Sequence, residues 1–160
     1  MLISIIGKRG TGKTTLAKQI IKAQSWDNLF IYDYLGEYKE FKNEATYSRT
    51  NLYQVLKLSW NASNPNENNL LVLDEVDLYG YGNEQLEFLY RYGRHKNLSI
   101  IAISRRFYNL PVYIRALTEV FYLFKITEER DLNYLKSLVS KAFISKIITL
   151  EKYHYIKLQL

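Results

Sequence analysis

The sequence contains no cysteine, and only two of its 160 residues are proline. Without cysteine the chain can form neither disulfides nor thiolate metal sites, which agrees with a reducing compartment. No apolar run approaches the roughly 20 residues that cross a bilayer, and the chain opens on strand-like sequence rather than a secretory signal. We therefore expect a cytoplasmic protein without a membrane span of its own. Its length predicts one domain covering residues 1–160.

Acidic residues are absent from one long segment. This segment carries the basic residues Arg91, Arg94, Lys96, Arg105, Arg106 and Arg115 and no Asp or Glu. The other basic residues of the chain are balanced by its 16 acidic ones, so the net charge of +6 belongs to this segment. Clustered arginine and lysine suit phosphate, in nucleic acid or in a neighbouring subunit's nucleotide. An ordinary solvated basic surface is the alternative.

Residues 7–15 form a phosphate-binding motif. They read Gly-Lys-Arg-Gly-Thr-Gly-Lys-Thr-Thr and stand between the apolar run Leu2–Ile6 and a helix-like stretch. In this setting the loop amides and the positive end of the helix surround a polyphosphate. Lys13 would reach the β- and γ-phosphates of ATP, and the Thr14 hydroxyl would bind Mg²⁺. The predicted nucleotide-binding residues are Gly7, Lys8, Arg9, Gly10, Thr11, Gly12, Lys13, Thr14 and Thr15.

A second motif places two carboxylates at the end of the apolar run Leu70–Leu73. Ligands of open α/β sheets collect at the carboxyl ends of strands. Asp74 is predicted to hold Mg²⁺ with Thr14, and Glu75 to act as general base for the attacking water. A base beside the magnesium carboxylate favours hydrolysis coupled to movement over a small-molecule kinase, which remains the alternative. Ser104 and Arg105, after a further apolar run, are candidates for sensing the γ-phosphate.

Buried strands alternate with helical patterns along the chain, which predicts an α/β fold with a mostly parallel sheet covered by helices on both faces. The predicted strands are Leu2–Ile6, Leu29–Tyr32, Leu70–Leu73, Leu98–Ile103 and Val120–Phe124. The predicted helices are Lys13–Ala23, Asn51–Leu58, Asn83–Tyr92, a short one after Pro111, and Glu129–Val139. Asn61–Asn69 reads as a surface loop. The tail predicts a terminal strand, or a hairpin with Ile147–Leu150.

Three further segments resemble the HerA/FtsK group of DNA-pumping ATPases. Asp33-Tyr-Leu-Gly-Glu-Tyr38 is similar to that group's Asp-x-x-Gly-Glu-Tyr segment, Tyr92–Ile100 to its Gly-Arg-Lys stretch, and Val120–Asp131 to a later strand and helix start. The resemblance implies a RecA-like P-loop core and a ring, hexameric in that group, that hydrolyses MgATP at subunit interfaces and moves double-stranded DNA. Glu37 could order the active site or a neighbouring subunit's, and Asp33 could instead have a role in the turn.

The resemblance also assigns roles to arginines. Arg94 matches the arginine thought to act on the neighbouring subunit's γ-phosphate, and Arg91 is the second candidate for this role. Either arginine could instead be a cation at a helix C-terminus that interacts with the helix dipole. Arg105 stands where the family has glutamine, so Arg105 or Ser104 would sense the γ-phosphate. The candidate DNA contacts are Arg105, Arg106 and Arg115, with the aromatics Phe107, Tyr108 and Tyr113, for each of which core or subunit packing is the alternative.

The resulting hypothesis is a viral or mobile-element motor that packages or translocates double-stranded DNA, acting in the host cytoplasm if viral. A capsid or membrane-associated protein is a candidate partner. The alternative is an assembly or export ATPase, similar to a filamentous-phage export factor, that acts on protein rather than DNA.

Overall fold

The computed structural model describes residues 1–159 and is built on one sheet. Its strands are β1 (Leu2–Ile6), β2 (Asn28–Tyr32), β3 (Thr46–Ser48), β4 (Asn69–Leu73), β5 (Leu98–Ser104), β6 (Val120–Phe124) and β7 (Tyr155–Gln159). They lie in the order β3-β2-β4-β5-β1-β6-β7. All neighbours pair in parallel except β7, which runs antiparallel to β6. The predicted α/β class with a mostly parallel sheet is confirmed.

The helices are α1 (Lys13–Lys22), α2 (Leu52–Ala62), α3 (Glu84–Tyr92), α4 (Val112–Leu117), α5 (Glu129–Lys136) and α6 (Lys141–Thr149). Short 3₁₀ turns cover Lys39–Phe41, Val76–Leu78 and Gly93–Lys96. The side chains of Asn51, Asn83 and Ser140 each accept a hydrogen bond from a backbone N–H of the helix they precede. These caps satisfy donors that helix starts leave free. None of the helices within residues 1–159 is long and apolar enough to cross a membrane.

Both faces of the sheet are buried. Successive strand residues point to opposite sides, and apolar residues occupy both sets of positions. In β4, Leu71 and Leu73 enter the core under α2 to α6, whereas Leu70 and Val72 enter the core under α1. Five helices therefore cover one face. The other face is covered by α1 and by the 3₁₀ turn at Lys39–Phe41.

The strand order determines which loops meet at the carboxyl edge of the sheet. β5 lies between β1 and β4, so the phosphate motif after β1 and the carboxylates after β4 are separated by one strand. Parallel strands end at the same edge, and ligands of such sheets bind there. The two motifs therefore face each other across the end of β5.

The structure corrects the sequence predictions in the last third of the chain. The predicted hairpin strand at Ile147–Leu150 is wrong, because Ile144 and Ile147 lie in α6 and point to the core at helical spacing. The terminal strand is confirmed as β7, which pairs with β6 instead.

Two other parts of the prediction also change. The short strand β3 is not evident in the sequence, and the predicted surface loop shrinks to residues 63–68. Asn69 is fully buried at the start of β4, where its side-chain amide donates to the carbonyls of Asn64, Glu67 and Lys96. This polar residue therefore anchors the loop rather than belonging to it.

Candidate active site

The phosphate motif forms an open loop between β1 and α1. Gly10 and Gly12 have φ angles of 75° and 102°, which side chains with a Cβ rarely adopt. A Cβ on Gly7 would lie 2.6 Å from Cβ of Phe124 in β6, so only glycine lets the loop leave β1 along this path. No acidic residue lies in the first turn of α1, and no side chain among residues 1–159 caps its start. The amides of this turn are therefore left for a bound anion.

One crevice of about 380 Å³ brings the two predicted motifs together. Its lining residues are Arg9, Gly10, Gly12, Lys13, Thr14, Thr15, Leu35, Glu37, Asp74, Glu75 and Tyr153. Most of the loop, the candidate metal ligands and the candidate base therefore line one cavity.

Lys13 lies buried at the base of the crevice. Its Nζ donates to the backbone carbonyl of Lys8 at 3.1 Å. Burial lowers the pKa of the Lys13 ammonium, and the carboxylates of Glu75 and Asp74 oppose that shift. The ammonium thus faces two acids and is held by one neutral acceptor, which a phosphate oxygen could replace.

Asp74 is almost completely buried, and its Oδ2 has no hydrogen-bond partner within residues 1–159. Burial raises the pKa of Asp74 to about 7, and the neighbouring carboxylates of Glu75 and Glu37 add to the shift. Thr14 Oγ1 donates to Glu37 Oε2 at 2.6 Å. A cation between these groups would relieve the repulsion between the carboxylates.

This donor set fits Mg²⁺, which prefers oxygen ligands and takes one or two carboxylates with phosphates and water. In the part of the chain that the structure describes, no three His, Cys, Asp or Glu residues cluster in a way that could hold a metal ion. Phosphate oxygens and water would therefore have to complete the coordination, as in a nucleotide-dependent site.

Glu75 is buried and adopts the left-handed backbone conformation, with φ of 51°. Such a conformation costs a non-glycine residue about 1–2 kcal/mol and is typical of functional positions. Its Oε2 lies 2.8 Å from Nε of Arg105, an ion pair without the alignment of a hydrogen bond. The candidate base and the arginine at the family's glutamine position are therefore in direct contact.

Asp33 organises the loop that carries Glu37. Its buried carboxylate accepts the backbone N–H groups of Gly36, Glu37 and Tyr38 at 2.7, 2.8 and 2.9 Å, and the hydroxyl of Tyr47 in β3. This network fixes the direction in which the Glu37 side chain leaves the backbone.

The other predicted residues lie apart from the crevice or turn away from it. Ser104 is buried at the end of β5, and its hydroxyl donates to the carbonyl of Arg106 at 2.9 Å. Lys8 Nζ pairs with Glu128 at 3.1 Å, so its side chain points towards the segment between β6 and α5. Arg94 is exposed in the turn before β5, at the opposite edge of the sheet. The seven residues of β5 span about 20 Å between that turn and the crevice.

The candidate DNA residues divide into two groups. Arg105 and Arg106 are exposed after β5, and Arg106 lies 3.6 Å from Glu128. The guanidinium of Arg115 packs 4.7 Å from the ring centre of Tyr134 and is only partly exposed. Phe107 is fully buried in the core, so the suggested base contact is wrong for this residue and the packing alternative holds.

The remaining candidates also make contacts within the fold. Tyr113 donates its hydroxyl to the carbonyl of Gly80, whereas Tyr108 keeps 48% of its surface exposed. Arg91 pairs with Glu87 one helical turn away at 2.6 Å.

The sequence offers Glu37 as a residue that could order the active site, but not its contact with Thr14, which spans 23 positions. Tyr153 is the crevice residue that sequence reasoning missed. Tyr153 lies in the turn before β7, 141 positions after Gly12 of the loop, so no sequence signal pointed to it. Only the pairing of β7 with β6 brings that turn to the phosphate loop.

Solved structures with the same fold include three proteins. The genome packaging NTPase B204 from Sulfolobus turreted icosahedral virus 2, in complex with AMPPCP, matches with a TM-score of 0.81 at 20% identity, over 99% of this chain and 91% of B204. The cytoplasmic domain of EssC matches with a TM-score of 0.60 at 15% identity, over 88% of this chain and 33% of EssC. Thermomonospora curvata EccC (ATPases 2 and 3), in complex with a signal sequence peptide, matches with a TM-score of 0.56 at 12% identity, over 77% of this chain and 29% of EccC. At these identities the likeness is one of fold.

No curated protein matches the sequence. The family model described as AAA domain matches residues 1–108, a range that includes the phosphate loop and both carboxylates after β4. The chain therefore belongs to the AAA domain family and is a P-loop ATPase.

Proposed function

We propose that this ATPase is a motor of HerA/FtsK type that packages or translocates double-stranded DNA. The observation that carries the proposal is the crevice in which Lys13, Thr14 and the carboxylates after β4 meet. It belongs to a fold that a viral genome packaging NTPase shares along 99% of this chain. That coverage also supports treating residues 1–160 as one ATPase domain.

In this proposal the loop from Gly7 to Thr15 binds the phosphates through its amides, and Lys13 replaces its bond to the Lys8 carbonyl with one to a phosphate oxygen. Thr14 and Asp74 would hold Mg²⁺, which when bound offsets the charge on the β- and γ-phosphates. The contact between Thr14 and Glu37 supports this assignment, because it holds the hydroxyl beside the carboxylates.

Glu75 would act as the general base. Its carboxylate takes a proton from water as the water oxygen attacks the γ-phosphorus and the bond to the β-phosphate oxygen breaks. Glu75 is paired with Arg105 at 2.8 Å, and this pair would open as Glu75 turns to the attacking water. The freed guanidinium would then stabilise the γ-phosphate, with Ser104 shaping the turn that carries it.

Arg94 would act on the nucleotide of a neighbouring subunit. Its exposure and its place at the far edge of β5 support this role, because it cannot reach the crevice of its own chain. Such an arrangement requires a closed ring in which each crevice faces the next subunit's turn at 93–96, and six subunits are proposed from the resemblance.

DNA would pass over the loops after β5, where Arg105 and Arg106 are exposed. Arg115 would strengthen the positive potential from its place beside Tyr134. The motor would work in the cytoplasm, that of the host if the protein is viral, and engage a capsid or membrane-associated partner.

The test is ATP hydrolysis by the purified chain with and without duplex DNA. DNA should stimulate phosphate release, and the stimulation should fall steeply between 50 and 200 mM salt (about 10-fold or more), because phosphate contacts release counterions. Arg106→Ala, which spares the arginine beside Glu75, should reduce the DNA effect, with Lys57→Ala on the exposed side of α2 as the control. An equal rate of phosphate release with and without DNA at every salt concentration would contradict a DNA motor.

A second candidate is an ATPase that moves or assembles protein. The fold match to EccC in complex with a signal sequence peptide favours it, although it covers less of this chain than the match to B204. Hydrolysis that responds to an unfolded or signal-like peptide and not to DNA would favour this candidate.

A further inference from the structure

The sheet order limits where the rest of a nucleotide can lie. The terminal phosphate is expected beside Lys13 and the carboxylates after β4, on one side of β1. A nucleotide is longer than its triphosphate, so its ribose and base must leave the loop away from β4. On the opposite side of β1 the sheet continues with β6 and β7.

A separate cavity of about 300 Å³ lies on that side, which is enough for a small planar group. Its lining residues are Lys8, Thr11, Phe124, Lys125, Thr127, Leu150, Glu151, Lys152, Tyr153 and His154. Lys8 and Thr11 belong to the phosphate loop, so this cavity and the crevice are walled by the same loop. The remaining residues come from the end of β6 and from the turn before β7.

Tyr153 connects the two cavities. It lines both, and its Cδ1 lies 3.3 Å from the point that a Cβ on Gly12 would occupy. Tyr153 keeps 62% of its surface exposed although it contacts the loop. Lys152 Nζ lies 4.8 Å from the ring centre.

The backbone of Tyr153 adopts the left-handed conformation that side chains with a Cβ rarely take. The turn from Glu151 to His154 is closed by a 3.2 Å hydrogen bond from the His154 N–H to the Glu151 carbonyl. Tyr153 is the third residue of this turn and has φ of 69°, a position at which glycine is the common choice. An aromatic ring is therefore held beside the phosphate loop at a position where the fold alone would favour glycine.

We propose that the cavity beside Tyr153 binds the nucleobase, with the Tyr153 ring as its stacking surface. The inference rests on the proposed nucleotide site and adds the residue that recognises the base. Stacking uses the face that every base offers, and a purine covers more of the ring than a pyrimidine. The order of affinity is then ATP and GTP before CTP, and it depends on the ring.

The experiment compares Mg·ATP, Mg·CTP and Mg·tripolyphosphate binding to the full chain by calorimetry. Tyr153→Gly should weaken ATP about 5- to 150-fold, reduce the difference between ATP and CTP, and leave tripolyphosphate unchanged within about twofold. Tyr153→Phe should bind ATP like the unchanged chain. Tyr53→Ala on α2, which removes a ring of matching 65% exposure, is the control.

Thermal unfolding separates lost binding from lost folding. Glycine relieves the left-handed backbone, so Tyr153→Gly should unfold at the same or a higher temperature than the unchanged chain. Unaltered ATP affinity in Tyr153→Gly, or equal weakening of ATP and tripolyphosphate, would overturn the base site alone. Failure of the unchanged chain to bind either ligand would overturn the nucleotide site and the base site together.

Discussion

Glu75 combines burial, a left-handed backbone and an ion pair with Arg105. Glu75→Gln keeps the shape of the side chain but removes the group that accepts a proton. We expect it to bind ATP within a few-fold of the unchanged chain and to hydrolyse it about 10²- to 10⁴-fold more slowly. Phosphate release at saturating MgATP measures this, with Glu84→Gln on the exposed side of α3 as control. Normal turnover would remove Glu75 from the role of base.

Asp74 should make the stability of the metal-free protein depend on pH. Its pKa is raised to about 7 from 3.8, mainly by burial, so the folded state binds a proton that the unfolded state releases between these values. Stability from this group is therefore complete below about pH 4 and is lost as the pH rises through 7.

Asp74→Asn should raise the melting temperature more at pH 8 than at pH 5, equivalent to a gain on the order of 1–4 kcal/mol at pH 8. Scanning calorimetry at the two pH values without nucleotide or metal checks this, with Asp27→Asn as an exposed control. The same gain at both values would show that the Asp74 carboxyl is not perturbed in the fold. In the presence of MgATP, Asp74→Asn should bind the nucleotide more weakly.

The loop between β2 and the 3₁₀ turn at Lys39–Phe41 depends on one side chain. Asp33 is fully buried and accepts three backbone N–H groups, so Asp33→Ala leaves these donors without partners. We expect a loss of roughly 2–4 kcal/mol in the free energy of unfolding, measured by urea denaturation. Asp27→Ala removes an exposed acceptor of a single N–H and should cost under about 1 kcal/mol. Similar losses for both variants would contradict the organising role of Asp33.

Ring assembly can be tested with mixed subunits. Arg94 lies at the edge of the sheet opposite the crevice, so its action on ATP requires another chain. Arg94→Ala and Lys13→Ala should each abolish hydrolysis, and mixtures of the two should recover part of it, because some interfaces pair an intact crevice with an intact arginine. Phosphate release across mixing ratios is the measurement. No recovery at any ratio would place Arg94 in a structural role.

The nucleotide motifs could be predicted from sequence because their residues are close together along the chain. Gly7 to Thr15 combine a strand end, glycine turns and a helix start within nine positions, and Asp74 and Glu75 directly follow an apolar strand. The hairpin predicted at Ile147–Leu150 failed because a short apolar run fits strand and helix alike, and packing of Ile144 and Ile147 decided for helix.

Local chemistry in the chain specified the alternation of strands and helices, the phosphate loop and the acidic pair, since each depends on backbone preference and on the order of neighbouring residues. Long-range packing alone settled which groups meet: Glu37 with Thr14, Arg105 with Glu75, and Tyr153 with Gly12. These contacts join residues 23 to 141 positions apart, and they exist because strands distant in sequence pair side by side and bring their ends to one edge of the sheet.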